Sequence, residues 1–168
     1  MAREDGRARR PLSPPWRKLL VSLHIIVSVG LLGADAAVLL LCVAGARGAD
    51  PSMIYPAAHL IGGNLLVPLA LLAVATGLAL GLFTPWGLVR YWWVAIKLAL
   101  TVAGTVLALL VLVPTLGTAA TAAATGAPLS SAYRLGLVRD TTAASTVLIM
   151  TVLLAVYKPF GRLRGRAR

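Results

Sequence analysis

Polar and apolar positions in this chain come in blocks rather than alternating at the period of a helix face or a strand. Four apolar blocks stand out: Leu19 to Val43, Pro56 to Phe83, Tyr91 to Val113, and Thr141 to Tyr157. A membrane-crossing helix needs about 20 apolar residues, and the first three blocks meet that length. The fourth has 17 residues, but the preceding SSAYRLGLVRD can extend it, with Arg134 and Arg139 reaching out to lipid headgroups. The pattern predicts an all-α, four-helix transmembrane bundle with helices over about 19–43, 56–83, 91–113 and 130–157. Basic tails at 1–18 and 158–168 flank this 19–157 membrane domain.

The connections between the blocks differ. ARGADPS makes a short loop and TPWGLVR a tight turn. The segment from Pro114 holds GTAATAAATGAP, too weakly apolar for a further span, and it reads as a poorly ordered surface loop. Pro68, within the second helix, is expected to loosen one turn. Small residues mark where helices can approach closely: Gly30, Gly33, Ala34 and Ala37 on the first, Gly77-x-x-x-Gly81 on the second, and Ala99, Ala103, Gly104 and Ala108 on the third.

Composition reinforces the membrane reading: 59% of the residues are hydrophobic and 12% charged, against about a quarter charged in soluble domains. The net charge of +11 would suit nucleic acid if the basic residues shared one surface with interleaved aromatics. Instead six precede the first block (Arg3, Arg7, Arg9, Arg10, Arg17, Lys18) and five follow the last (Lys158, Arg162, Arg164, Arg166, Arg168). That distribution excludes nucleic acid as the expected partner. It points to the cell membrane, with anionic headgroups against the basic tails and both termini cytoplasmic. In this orientation Trp16, Trp86, Trp92 and Trp93, with Tyr91 and Tyr157, fall at the cytoplasmic interface, where aromatic rings anchor helix ends. Ala44-Gly45-Ala46 resembles a signal-peptidase site, but 25 apolar residues are too many for a signal peptide. A homo-oligomer or a larger membrane complex is compatible with a chain this small.

Ionisable residues inside the blocks cost about 2.5 to 3.5 kcal/mol each at a helix centre, so each is a candidate functional residue. There are four: His24, Asp35, His59 and Lys97. At 1.5 Å per residue, His24 and Lys97 lie about 9 to 10 Å from the cytoplasmic boundary, in one layer. Asp35, about 25 Å in, and His59 on the antiparallel second helix form an expected outer layer. Each has a plainer reading: Lys97 reaches back to the headgroups, His24 holds two helices together by a hydrogen bond, and Asp35 and His59 are solvated at the outer interface. Cys42 has no second cysteine for a disulfide or a thiolate metal centre, and no metal site is expected. Phosphate-loop, zinc-helix and nucleophile-elbow motifs are missing from the sequence, which argues against a soluble-type active site.

The segments LLVSLHIIVSVGLLG, NLLVPLALLAVATGLALGLFTPWGLVRYWWVAIKLALT and AVYKPFG resemble a family of actinobacterial membrane proteins known only as a domain of unknown function. The resemblance implies a four-helix membrane fold and no established activity. More distantly, Leu-His-Ile in the first helix and Trp93 four residues before Lys97 resemble HemJ-type protoporphyrinogen oxidases, and more loosely the copper-resistance D membrane proteins. The HemJ resemblance implies b-type haem and an essential pair at His24 and Lys97. It does not extend to the whole motif. Ala95 and Ile96 stand where a further histidine would precede the lysine, and LLGADAAVL replaces the aromatic and arginine residues of the first helix. The copper resemblance lacks its methionine and histidine clusters. Three readings follow: a non-catalytic bundle or accessory subunit, a haem-binding redox protein using His24 with Lys97, and a proton or small-solute pathway with His24/Lys97 and Asp35/His59 as stations.

Overall fold

The computed structural model describes residues 13–83 and 92–157. Residues 1–12 and 158–168 of the basic tails, and the TPWGLVR turn with Tyr91, lie outside the described residues, whereas 14–18 of the first tail belong to a helix. The rest folds into four helices, each long and apolar enough to cross a membrane: α1 (Pro14–Ala46), α2 (Pro51–Phe83), α3 (Trp92–Ala124) and α4 (Ser131–Tyr157). α1 packs on α2 and α4, and α3 closes the ring between α2 and α4, which leaves α1 and α3 across the diagonal. The end where α1 begins and α4 finishes is called proximal below. Trp16, Trp92, Trp93 and Tyr157 all belong to that end.

The packing is that of a membrane bundle, with alanines beside Tyr55, Leu112 and Leu116 inside and many large apolar residues left outside. Ala34, Ala58, Ala70, Ala73, Ala108 and Ala119 are buried, whereas Ile26, Leu40, Leu110 and Val156 are 67–72% exposed. Lipid covers such an outer surface without penalty, so the helices associate through close contact and hydrogen bonds rather than by expelling apolar side chains from water. On α1 the buried stripe runs Val27, Leu31, Ala34, Val38, Cys42 and Gly45, with Asp35 inside it. Gly45 marks the tightest approach: a methyl built there would lie 2.8 Å from Tyr55 Oη and 3.2 Å from Ile54 Cγ2. Of the small residues expected at interfaces, Gly33, Ala99 and Ala103 face outward instead.

All four helices differ in extent from the apolar blocks, and α3 differs most. It runs 11 residues beyond Val113, so the Ala/Thr segment expected to be a surface loop is helical as far as Ala124. Alanine has the highest helix propensity. The threonines satisfy their hydroxyls on carbonyls one turn back, as Thr118 does on Pro114 and Thr121 on Gly117. Leu116 and Ala119 are fully buried, and the Tyr133 hydroxyl of α4 donates to the Thr115 carbonyl at 2.8 Å. Hydropathy alone misses such a segment because its contacts are made by alanine and glycine.

Two π-helical turns interrupt the bundle, Gly62–Leu66 in α2 and Ala108–Leu112 in α3. Both stand in the same relation to a proline. The amide after each turn, Val67 or Val113, bonds the carbonyl five residues back, and Pro68 or Pro114 follows immediately. A proline within a helix clashes with the carbonyl four residues before it and offers that carbonyl no N–H. Widening the preceding turn relieves the clash while the helix continues. The turns lie side by side, since Gly62 packs against Val113 and Leu116.

Both distal connections reverse direction at a glycine in the left-handed region, Gly48 (φ +98) and Gly126 (φ +71). α2 then starts on an Asp50 cap, whose carboxylate accepts from the Ser52 amide at 2.9 Å and the Ser52 hydroxyl at 2.8 Å. Those two bonds hold the Asp50 carboxyl below its ordinary value.

Candidate functional site: a cavity between the helices

A cavity of about 540 Å³ opens between the helices in the proximal half of the bundle, lined by residues of all four. His24 enters it from α1, Ala73, Gly77 and Gly81 form its α2 wall, Trp93, Lys97 and Thr101 come from α3, and Ala155 from α4. Val74 and Leu80 complete that wall, and its three small residues leave space between them. A methyl on Gly77 would stand 3.4 Å from His24 Cε1, so the glycine leaves room beside the imidazole ring. The volume is within the range of about 300–1,000 Å³ usual for small-molecule sites.

The imidazole is held by a threonine of α2. Thr76 on α2 donates its hydroxyl proton to the Leu72 carbonyl at 2.7 Å. Its oxygen also lies 2.7 Å from His24 Nδ1. With its own proton used on the backbone, the threonine can only accept, so Nδ1 carries the ring proton and Nε2 the lone pair. Nε2 makes no hydrogen bond among the described residues.

The cavity also holds a cation, Lys97. Among the described residues the one ion pair joins Arg139 to Asp140, so no described carboxylate neutralises Lys97. The cavity therefore combines apolar walls, one imidazole nitrogen able to accept or ligate, and one ammonium with no counter-ion among the described residues. No family model, curated protein or solved structure matches this chain. The chemistry of the cavity must be read from its own side chains.

The structure brings together His24 and Lys97, which line one cavity from opposite sides of the ring. Of the two placements open to Lys97, it takes the inward one. Asp35 and His59 do not form a shared layer, and that expectation is corrected. α1 and α2 run antiparallel, with Gly45 beside Tyr55, Gly30 beside Leu69 and His24 beside Gly77. His59 is thereby level with about Leu41 of α1, six residues or about 9 Å beyond Asp35. Its imidazole packs on Gly117 of α3, where an added methyl would lie 3.1 Å from Cε1. Asp35 turns to α4 and accepts a hydrogen bond from Ser145. Both are still inside the bundle: Asp35 is buried, and His59 Nδ1 is enclosed. Neither is merely solvated at an interface.

Thr76 and Ser145, the partners that orient His24 and Asp35, are not singled out by the sequence, because threonine and serine are ordinary in membrane helices. The helix register could have found them, since each lies opposite its ionisable partner in an antiparallel pairing. Asn64, the milder polar residue of α2, faces outward and donates to the Leu60 carbonyl at 3.1 Å. Among the described residues no group of three or more histidine, cysteine or acidic residues could hold a metal ion.

Proposed function

We propose that this multi-pass membrane protein is a non-catalytic binding protein or accessory subunit whose proximal cavity receives an amphipathic anion. The supporting observation is Lys97: a cation inside an apolar cavity with no described carboxylate beside it. Ionisable groups within membrane bundles are paired or face water, so a ligand with an apolar body and an acidic group supplies what the cavity lacks. Positive charge at both ends of the sequence supports a cytoplasmic proximal end, with the cavity opening within that leaflet.

Native mass spectrometry of the protein released from mild detergent tests this. A co-purifying acidic amphiphile should be retained by the native chain and lost from Lys97→Met, whose side chain keeps the apolar bulk. Equal retention by a folded Lys97→Met protein would refute the anion reading.

A second reading is favoured by the tautomer of His24. An Nε2 lone pair, with Nδ1–H held by a second residue, is the arrangement of a haem-ligating histidine. In that case His24 would hold the iron of haem b and Lys97 would pair with a propionate, with the haem supplying one-electron chemistry. An absorption spectrum after expression with haem supplied decides it. A Soret band abolished by His24→Ala supports this reading, and no band, or a band unchanged by that substitution, removes it.

A further inference from the structure

A second, smaller cavity of about 40 Å³ lies deeper in the bundle, at the level of the two π-helical turns. Asp35 lines it, together with Leu66 and Ala70 from α2, Thr101 and Thr105 from α3, and Val147 from α4. Asp35 is 1% exposed. Ser145 donates to its Oδ2, while Oδ1 has no partner.

Counting donors around this carboxyl shows what is missing. The Thr101 hydroxyl donates to the Lys97 carbonyl at 2.8 Å, and the Thr105 hydroxyl to the Thr101 carbonyl at 2.8 Å. Both threonine oxygens are then acceptors toward the cavity, and the remaining lining is apolar. An ionised Oδ1 would face acceptors and hydrocarbon, an arrangement that costs several kcal/mol. No other titratable group lines the cavity from α2, α3 or α4. The nearest charged side chains along the neighbouring helices are Lys97, one turn from Thr101 and lining the larger cavity, and Asp140, which pairs with Arg139. With no donor for Oδ1 and no cation lining the cavity among the described residues, the carboxyl is held with a proton of its own. The cavity also has room for one water molecule.

We propose that Asp35 is an exchangeable proton site, held in the acid form inside the bundle and reached from the proximal cavity past Thr101. Thr101 lines both cavities and is the group they share on α3. In exchange, the Asp35 O–H bond breaks as its proton passes to water at Thr101, and a proton from that water re-forms the bond, so that net charge is unchanged. The site does not depend on what occupies the His24 cavity.

Infrared spectroscopy of the full chain in liposomes tests the proposal. A carboxylic-acid carbonyl band is expected at neutral pH. It should be lost in Asp35→Asn, whose amide oxygen still accepts from Ser145, and moved in Ser145→Ala, which keeps the acid but removes one donor. In D2O the band should shift, and in Thr101→Val the shift should be delayed. A carboxylate band at neutral pH that disappears in Asp35→Asn, whether present from the start or only on adding Na+, or an acid band that does not shift in D2O would overturn the proton site. A Thr101→Val protein exchanging at the native rate would overturn the route.

Discussion

His24 shows how a residue's chemistry in this bundle is set by a neighbour on another helix. Its position was legible in the sequence, since an ionisable residue about 9 Å inside a span is conspicuous and shares its depth with Lys97. Its tautomer was not legible, because that depends on Thr76, 52 residues away, and on how Thr76 spends its hydroxyl proton. Thr76→Val removes the acceptor and leaves Nδ1–H without a partner. The expected cost is about 1 to 3 kcal/mol of stability, with the imidazole free to populate its other tautomer. Nitrogen NMR of histidine-labelled protein should report a proton on Nδ1 of His24 in the native chain and a mixture in the variant. A native-like spectrum in Thr76→Val would show that something else fixes the ring. Asp35 has the same dependence on Ser145, 110 residues away, which only the antiparallel register of α1 and α4 singles out from the other hydroxyls of α4.

At the scale of the helices, one proline was read correctly and its counterpart was not. Pro68 lies within an apolar block, so a loosened turn was expected there. Pro114 ends an apolar block, and was taken as the start of a loop. The structure gives both the same π-helical turn and lets both helices continue, because the widened turn relieves the clash with the proline ring. The helix beyond Pro114 is testable by cysteine accessibility in a Cys42→Ala background. Cysteines at Thr118 and Thr121, which are exposed, should react with a maleimide, and those at Leu116 and Ala119, which are buried, should not. Reaction at all four positions would mean a loop. Close packing gives a second test. Gly45→Ala sets a methyl against the Tyr55 hydroxyl and should destabilise by about 1 to 3 kcal/mol. Gly33→Ala meets nothing within 4 Å and should gain up to about 1 kcal/mol from helix propensity. Thermal melting in detergent should therefore move the two variants in opposite directions.

At the scale of the whole molecule, large apolar side chains cover the outside of the bundle as well as filling its core, and that surface makes orientation the next question. Helices of 33 residues are about 50 Å long, against about 30 Å of hydrocarbon, so α1, α2 and α3 extend into the headgroup region or tilt. The ends differ in chemistry. The distal end has two tight turns with Arg47, Asp50 and Thr125, whereas the proximal end carries the described tryptophans and adjoins both basic tails in the sequence. If charge sets topology, Arg47 and Thr125 face outward in the cell and both termini face the cytoplasm. Single cysteines at positions 47 and 125, again without Cys42, should be labelled by a membrane-impermeant maleimide on intact cells. Cysteines at positions 3 and 166 should be labelled only after permeabilisation. The reverse pattern would put the His24/Lys97 cavity in the outer leaflet. A ligand would then have to arrive from outside the cell, and Asp35 would exchange its proton with the exterior. The labelling result therefore decides which compartment supplies both cavities, independently of what either one binds.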